Sequence, residues 1–146
     1  MIYVGSDHGG FELKEHVTKY LKEKGLQFED CGTFSADSCD YPDIAENVAN
    51  KVVADKGSFG ILVCGTGIGI SIAANKVKGI RAACCSDTFS ARYTRKHNDA
   101  NILCFGGRVI GPGMAEELID AFLESDFEGG RHAKRVAKIT AIENKE

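Results

Sequence analysis

A cysteine beside a run of alternating glycines is the most chemically suggestive part of the chain. An apolar segment at residues 59–63 leads directly into Cys64, which is followed by Gly65, Gly67 and Gly69. An unbroken apolar run bounded by glycine is typical of a strand buried on both faces. The alanines that follow favour a helix. The segment therefore predicts strand, tight loop and helix, and the backbone N–H groups of such a loop favour a bound anion, an oxyanion or the thiolate form of Cys64.

Several interpretations of this loop stay open on the residues alone. Cys64 could be a nucleophile, a proton-abstracting base beside an oxyanion cradle, or a buried cysteine at a strand end. A dinucleotide fingerprint is matched only in part, because the third glycine comes one position early, although Asp87 lies at a plausible distance. Walker and cysteine-phosphatase loops are excluded, since they need a lysine after the last glycine or an arginine where Ile70 stands. The glycines could also form a turn that only lets helix and strand pack.

Two further groups of polar residues are candidates for a site. His97 and Asn98 end a predicted helix and precede a polar link into a strand, although a histidine there could simply interact with the helix dipole. Arg131 and Arg135 are four residues apart and share a helix face, after two glycines. They could bind a phosphate bidentately or lie on a solvated basic face.

The elements that position these residues alternate between strand and helix. The predicted strands are residues 2–6, 26–31, 59–64, 80–85 and 102–105, and the last predicted helix spans about residues 130–144. This order predicts one three-layer, doubly wound (Rossmann-like) α/β domain over residues 1–146, with a five-stranded parallel sheet. Ligands of such folds bind beyond the carboxyl ends of the strands, where the winding reverses. Asp7, His8 and Cys64 would share one crevice there if the first and third strands are neighbours.

Composition excludes several classes of protein. The chain has 146 residues, of which 43% are hydrophobic and 27% charged, as expected of one soluble domain. The net charge of −3 and the lack of a basic stripe argue against nucleic acid as the main partner. No apolar run approaches the ~18–20 residues of a membrane span, and the N-terminus is unlike a signal peptide, so a cytoplasmic location is expected. The six cysteines contain no Cys-x-x-Cys pair, and those other than Cys64 are expected to be mostly small buried residues.

Motifs along the whole chain resemble the type B ribose-5-phosphate isomerases, whose wider family includes galactose-6-phosphate and allose-6-phosphate isomerases. The motifs are Gly5-Ser6-Asp7-His8, Asp40-Tyr41-Pro42, Cys64-Gly65-Thr66-Gly67-Ile68-Gly69, Arg95-Lys96-His97-Asn98-Asp99-Ala100-Asn101, Gly106-Gly107-Arg108 and Gly129-Gly130-Arg131-His132. Some relatives lack the cysteine and use a carboxylate as base. Cys64 therefore makes the chain more similar to the ribose-5-phosphate branch than to the galactose-6-phosphate branch.

The resemblance implies a role for each matching residue. Cys64 would take the proton from C2 of the sugar, and the amides of Gly65, Thr66, Gly67, Ile68 and Gly69 would stabilise the enediolate. Thr66 and His97 would help to open the furanose ring, with Asp7 and Asn98 holding sugar oxygens. The phosphate would be bound by His8, Arg108, Arg131 and Arg135, and Tyr41 would line the pocket.

The resemblance also implies the partners and the reaction. It predicts a homodimer in which His97 and Asn98 complete the other subunit's site and the C-terminal helix packs on that subunit; further pairing into tetramers is left open. The substrate would be a phosphorylated sugar, with no metal ion, organic cofactor, nucleic acid or membrane required. The expected reaction interconverts ribose 5-phosphate and ribulose 5-phosphate. The alternatives are the same reaction on allose 6-phosphate or galactose 6-phosphate, and a non-catalytic module that binds nucleotides or sugar phosphates.

Overall fold

The structure is a computed structural model that describes residues 1–145, which form five strands and six α-helices. The strands are β1 (Ile2–Ser6), β2 (Phe28–Asp30), β3 (Phe59–Cys64), β4 (Ala82–Cys84) and β5 (Ile102–Gly106). The helices are α1 (Phe11–Glu23), α2 (Tyr41–Ala54), α3 (Ile68–Ala74), α4 (Thr88–Asn98), α5 (Pro112–Leu123) and α6 (Arg131–Glu143). A short 3-10 turn, His8–Gly10, joins β1 to α1. The predicted alternation is confirmed.

The strands form one parallel sheet in the order β2-β1-β3-β5-β4. From β1 the chain moves outward to β2 and then crosses to β3 on the other side, so the winding reverses between β1 and β3. Apolar side chains fill both faces of the sheet, with α1 and α5 covering one face and α2 and α3 the other. The predicted three-layer, doubly wound fold with neighbouring first and third strands is therefore confirmed.

The two edge strands are shorter than the sequence predicts. Strands β2 and β4 contain three residues each, against six in each predicted range. Each of them pairs with a single neighbour, so fewer hydrogen bonds hold their ends in extended conformation than in the central strands. Between residues 1 and 145, no helix has the length and apolar character needed to span a membrane.

Candidate active site

The loop after β3 folds back onto the thiol of Cys64. This side chain is buried, and the backbone N–H of Gly67 donates a hydrogen bond to its Sγ at 3.1 Å. Gly67 has a left-handed backbone with φ of 81°, and a Cβ there would lie 2.6 Å from the carbonyl carbon of Phe105. Glycine therefore allows the approach that aims the amide at the sulfur. The backbone N–H of Gly67 is thereby fixed against the sulfur atom.

The end of β1 is joined to the end of β3. Asp7 is buried, its N–H donates to the carbonyl of Val63 at 3.2 Å, and its carboxylate accepts from the N–H of Gly10 at 3.1 Å. The next side chain, His8, accepts at Nδ1 from the N–H of Cys39 at 3.2 Å. A neutral His8 ring therefore carries its proton on Nε2, which can donate to a ligand. Asp7 and His8 lie beside the Cys64 loop, as the topology predicted.

Two more of the predicted residues border the same loop. The N–H of Arg108 donates to the carbonyl of Gly65 at 3.0 Å, and its guanidinium Nη1 lies 3.2 Å from where a Cβ on Gly65 would stand. The ring of Tyr41, at the start of α2, lies so close to Gly69 that a Cβ there would be 2.7 Å from Cζ. The carboxyl ends of β1, β3 and β5 and the start of α2 thus bring one group of candidate residues together. We call it the Cys64 group: Asp7, His8, Tyr41, residues 64–69 and Arg108.

The remaining candidates lie near the amino ends of the strands, opposite the Cys64 group. His97 and Asn98 end α4, which runs from the carboxyl ends of the strands back to their amino ends. Nearby, the carbonyl of Asn101 accepts from the N–H of Gly60, near the start of β3, at 2.9 Å. Gly60 and Cys64 are four residues apart in one strand, which corresponds to about 13 Å. Within one chain, His97 and Asn98 therefore do not lie beside the thiol of Cys64.

A second group of residues surrounds His97. Its ring stacks on that of His132, with centroids 4.1 Å apart and an angle of 11° between the planes. Oε1 of Glu128 lies 3.6 Å from Nε2 of His97 and 3.4 Å from Nε2 of His132. Burial lowers the pKa of His132, and the neighbouring His97 and Arg131 lower it further. Arg131 and Arg135 lie in the first turns of α6, the helix that contains His132. They therefore lie with His97 rather than with the Cys64 group.

The end of α4 is held by hydrogen bonds whose main donor, Arg81, sequence reasoning missed. Nε of Arg81 donates to the carbonyls of Asn98 and Asp99 at 2.9 and 3.0 Å. The carboxylate of Asp99 accepts from Arg81 at 3.1 Å and from Arg95 at 2.9 Å, and Asp99 has a left-handed φ of 49°. These bonds satisfy carbonyls at the helix end and fix the direction of the preceding His97. The polar Asp99-Ala100-Asn101 link was the only signal in the sequence.

Of the other five cysteines, Cys85 and Cys104 are buried, Cys31 and Cys39 are half-buried and Cys84 is exposed, so fewer are buried than expected. Cys85 and Cys104 are buried, as expected; burial raises the pKa of Cys85 to about 12 and that of Cys104 well above its ordinary value. Both therefore stay protonated at neutral pH and serve as small apolar residues. Cys84 is exposed, so the expectation of burial is wrong there; it ends the edge strand β4, and its Sγ lies 3.7 Å from the carbonyl oxygen of Thr66.

Comparisons with known proteins agree on one family. Residues 2–139 match the family described as Ribose/Galactose Isomerase. Ribose-5-phosphate isomerase B of Escherichia coli (strain K12) is 50% identical over 99% of this chain and 97% of its own. The structure of Clostridium thermocellum ribose-5-phosphate isomerase B superposes with a TM-score of 0.95 at 51% identity, covering 97% of this chain and 96% of that one. The crystal structure of ribose-5-phosphate isomerase B from Mycoplasma genitalium with bound ribulose-5-phosphate has a TM-score of 0.95 at 41% identity, covering 99% and 97% of the two chains.

Proposed function

The chain belongs to the ribose/galactose isomerase family, and on this premise we propose that it is an aldose–ketose isomerase that interconverts D-ribose 5-phosphate and D-ribulose 5-phosphate. The observation that carries the proposal is the hydrogen bond from the Gly67 amide to Cys64 Sγ where the ends of β1, β3 and β5 meet. Names of relatives at about half identity over nearly their full length support the same substrate.

In the proposed reaction Cys64 acts as a base. Its thiolate removes the proton from C2 of the open-chain aldose, and the electron pair of the C–H bond forms the C1–C2 double bond of an enediolate. Returning the proton to C1, with transfer of a proton between O1 and O2, yields the ketose, so no redox agent is consumed. The Gly67 amide stabilises the thiolate, and other N–H groups of residues 65–69 stabilise the enediolate oxygen. Asp7 holds sugar oxygens beside them.

Ring opening and phosphate binding need residues from both groups. The cyclic sugar opens with proton transfer at the ring oxygen and at O1, which we assign to Thr66 and His97, with Asn98 holding the sugar. The phosphate is bound by His8 and Arg108 of the Cys64 group and by Arg131 and Arg135 of α6. Remote phosphate binding holds the open chain in reactive geometry.

We propose that the two groups of residues meet in a homodimer. In this dimer the end of α4 and the start of α6 of each protomer face the Cys64 group of the other protomer. Large apolar side chains exposed beside the thiol loop support such an interface, with Ile68 56% and Val109 58% exposed. Helix α6 likewise presents Ile139 and Ile142, 48% and 67% exposed, which supports packing of residues 130–144 on the partner protomer. The whole of residues 1–146 is then one isomerase domain. Pairing of dimers into tetramers and a cytoplasmic location stay predictions.

Deuterium exchange at C2 tests the base. We expect Cys64→Ala to lower isomerisation and C2 exchange with solvent by about 10²–10⁴-fold, while ribose 5-phosphate still binds. Cys84→Ala is the matched control, because this exposed thiol lies near Thr66 but outside the proposed chemistry. Exchange at the wild-type rate in Cys64→Ala would exclude Cys64 as the base.

Comparing kcat/KM for ribose 5-phosphate, allose 6-phosphate and galactose 6-phosphate decides the substrate. A thermal shift with nucleotide alone would favour the non-catalytic binding module.

Mixing two inactive variants tests the shared site. Cys64→Ala and His97→Asn are each expected to be inactive as homodimers. In a heterodimer whose sites are shared, one site contains both defects and the other contains none, so random mixing restores up to about a quarter of wild-type activity. If His97 serves the thiol of its own chain, every site in the mixture carries a defect and no activity returns.

A further inference from the structure

Three metal-ligating side chains meet where α6 packs against α4. One ring nitrogen of His97, one ring nitrogen of His132 and a carboxylate oxygen of Glu128 lie within 4.8 Å of one another, and we call these three residues the histidine–glutamate cluster. The proposed isomerisation uses His97 but neither Glu128 nor His132. The cluster therefore needs an explanation beyond the reaction itself.

Two of the three spacings between the donor atoms match those around a tetrahedral ion. Bonds of about 2.0–2.1 Å at tetrahedral angles separate two ligand atoms by about 3.4 Å. Oε1 of Glu128 lies 3.6 Å from Nε2 of His97 and 3.4 Å from Nε2 of His132. Two imidazole nitrogens and one carboxylate oxygen form a donor set that suits Zn²⁺ and leaves a fourth position for water.

Coordination requires one adjustment of the side chains. The two rings are nearly parallel, so their lone pairs converge on one ion only after a ring rotates. His132 is held, with 9% of its side chain exposed, whereas the side chains of His97 and Glu128 are 38% and 47% exposed. The ring that turns is that of His97, which also packs on the ring of Tyr93, with centroids 5.0 Å apart. The nearby charges of Arg131 and Arg135 oppose a cation, so we expect weaker binding than at a structural zinc site.

We propose that the histidine–glutamate cluster binds a divalent transition-metal ion of the Zn²⁺ type, and that this binding inhibits the enzyme by occupying Nε2 of His97. The inhibitory part rests on the proposed function, in which His97 transfers a proton during ring opening. An imidazole nitrogen whose lone pair binds a metal cannot accept that proton. Because the cyclic sugar needs His97 and the open-chain form does not, inhibition falls on ring opening rather than on removal of the C2 proton.

Co²⁺ titration of the full chain, followed by displacement with Zn²⁺, tests the site directly. A nitrogen and oxygen site gives visible d–d bands without the intense near-ultraviolet band of a thiolate ligand. We expect Glu128→Gln and His132→Asn to weaken metal binding by about 10-fold or more. The Zn²⁺ concentration that halves isomerase activity should rise by the same factor. The Cys84→Ser control, which removes an exposed thiol, should leave both values unchanged.

The outcomes separate this inference from the proposed function. Metal-stripped Glu128→Gln should isomerise at the wild-type rate. Binding that depends on Glu128 in a protein without isomerase activity would support the site and refute the proposed function. An active enzyme whose Zn²⁺ binding is absent at millimolar metal, or is lost in Cys84→Ser and kept in Glu128→Gln, would overturn the metal site.

Discussion

Replacing Gly67 with alanine tests how the loop after β3 is held against the sheet. Gly67 has φ of 81° and ψ of −11°, in the left-handed region. A Cβ at this position would lie 2.6, 2.7 and 2.9 Å from the carbonyl carbon, Cα and oxygen of Phe105. These are backbone atoms of the interior strand β5, so no side chain can turn aside to relieve the contact. The loop or the strand must move.

Two contributions set the size of the expected loss. A left-handed backbone costs alanine about 1–2 kcal/mol, and forcing a methyl group into a packed region costs about 1–3 kcal/mol. We therefore expect Gly67→Ala to lower the free energy of unfolding by about 2–5 kcal/mol, which corresponds to a Tm lower by roughly 4–20 °C in a chain of this size. The amide hydrogen bond to Cys64 should weaken in parallel, so activity should fall as well.

Gly25→Ala is the matched control for this substitution. Gly25 also has a left-handed backbone, with φ of 72°, but no atom lies within 4 Å of a Cβ built there. It carries the backbone cost without the steric one, and both variants change the unfolded chain equally. Urea unfolding followed by circular dichroism, at equal protomer concentration, gives the difference between them. Losses that agree within about 0.5 kcal/mol would refute the steric argument.

Three further predictions follow from individual contacts. Asp87→Ala should cost about 1 kcal/mol by removing the cap of α4 and Asp87→Asn much less, as thermal unfolding can check; equal losses would contradict the capping role. Lys14→Met should cost about 1.5–3 kcal/mol, because the fully buried Lys14 ammonium lies 2.7 Å from Asp30, and urea unfolding with no measurable loss would contradict this. Burial, followed by the neighbouring Glu29, raises the pKa of Cys31 from 9 to about 11, so at pH 8 its thiolate is about 100-fold scarcer than that of an ordinary thiol. Iodoacetamide labelling of Cys31, read by mass spectrometry, should therefore keep rising up to about pH 11, and a plateau near pH 9 would contradict the shift.

The fold and the placing of Asp7 and His8 beside Cys64 followed from local patterns in the sequence, whereas Tyr41 and Arg108 were indicated only by the family resemblance. Apolar runs ending in Ser6 and Cys64 predicted two buried strands, and the rule that ligands bind at the reversal of a doubly wound sheet placed Asp7 beside the glycine loop. Each step used residues within one strand and its loop. Pairing of β1 with β3 then brought the two loops together without further information.

The arrangement around His97 could not be predicted in the same way. His132 lies 35 positions further along the chain, and its stacking on His97 depends on how α6 packs against α4, which has no local signature. The anchoring of the helix end by Arg81 depends likewise on the edge strand β4 beginning beside it. The motifs named His97 and Arg131 as candidates, yet only the packing shows that they lie together and apart from Cys64.

Helix α4 explains why one chain cannot complete the proposed site. Its N-cap, Asp87, lies near the carboxyl ends of the strands, and its last residues, His97 and Asn98, lie near their amino ends. The helix rises about 16 Å over its eleven residues. Its first turn therefore lies at the same end of the strands as the Cys64 group of its own chain. Its last turn carries His97 and Asn98, which we propose complete the site of the other chain. In the proposed homodimer, a ligand that displaces His97 would therefore act on the site of the other protomer and not on the thiol of its own chain.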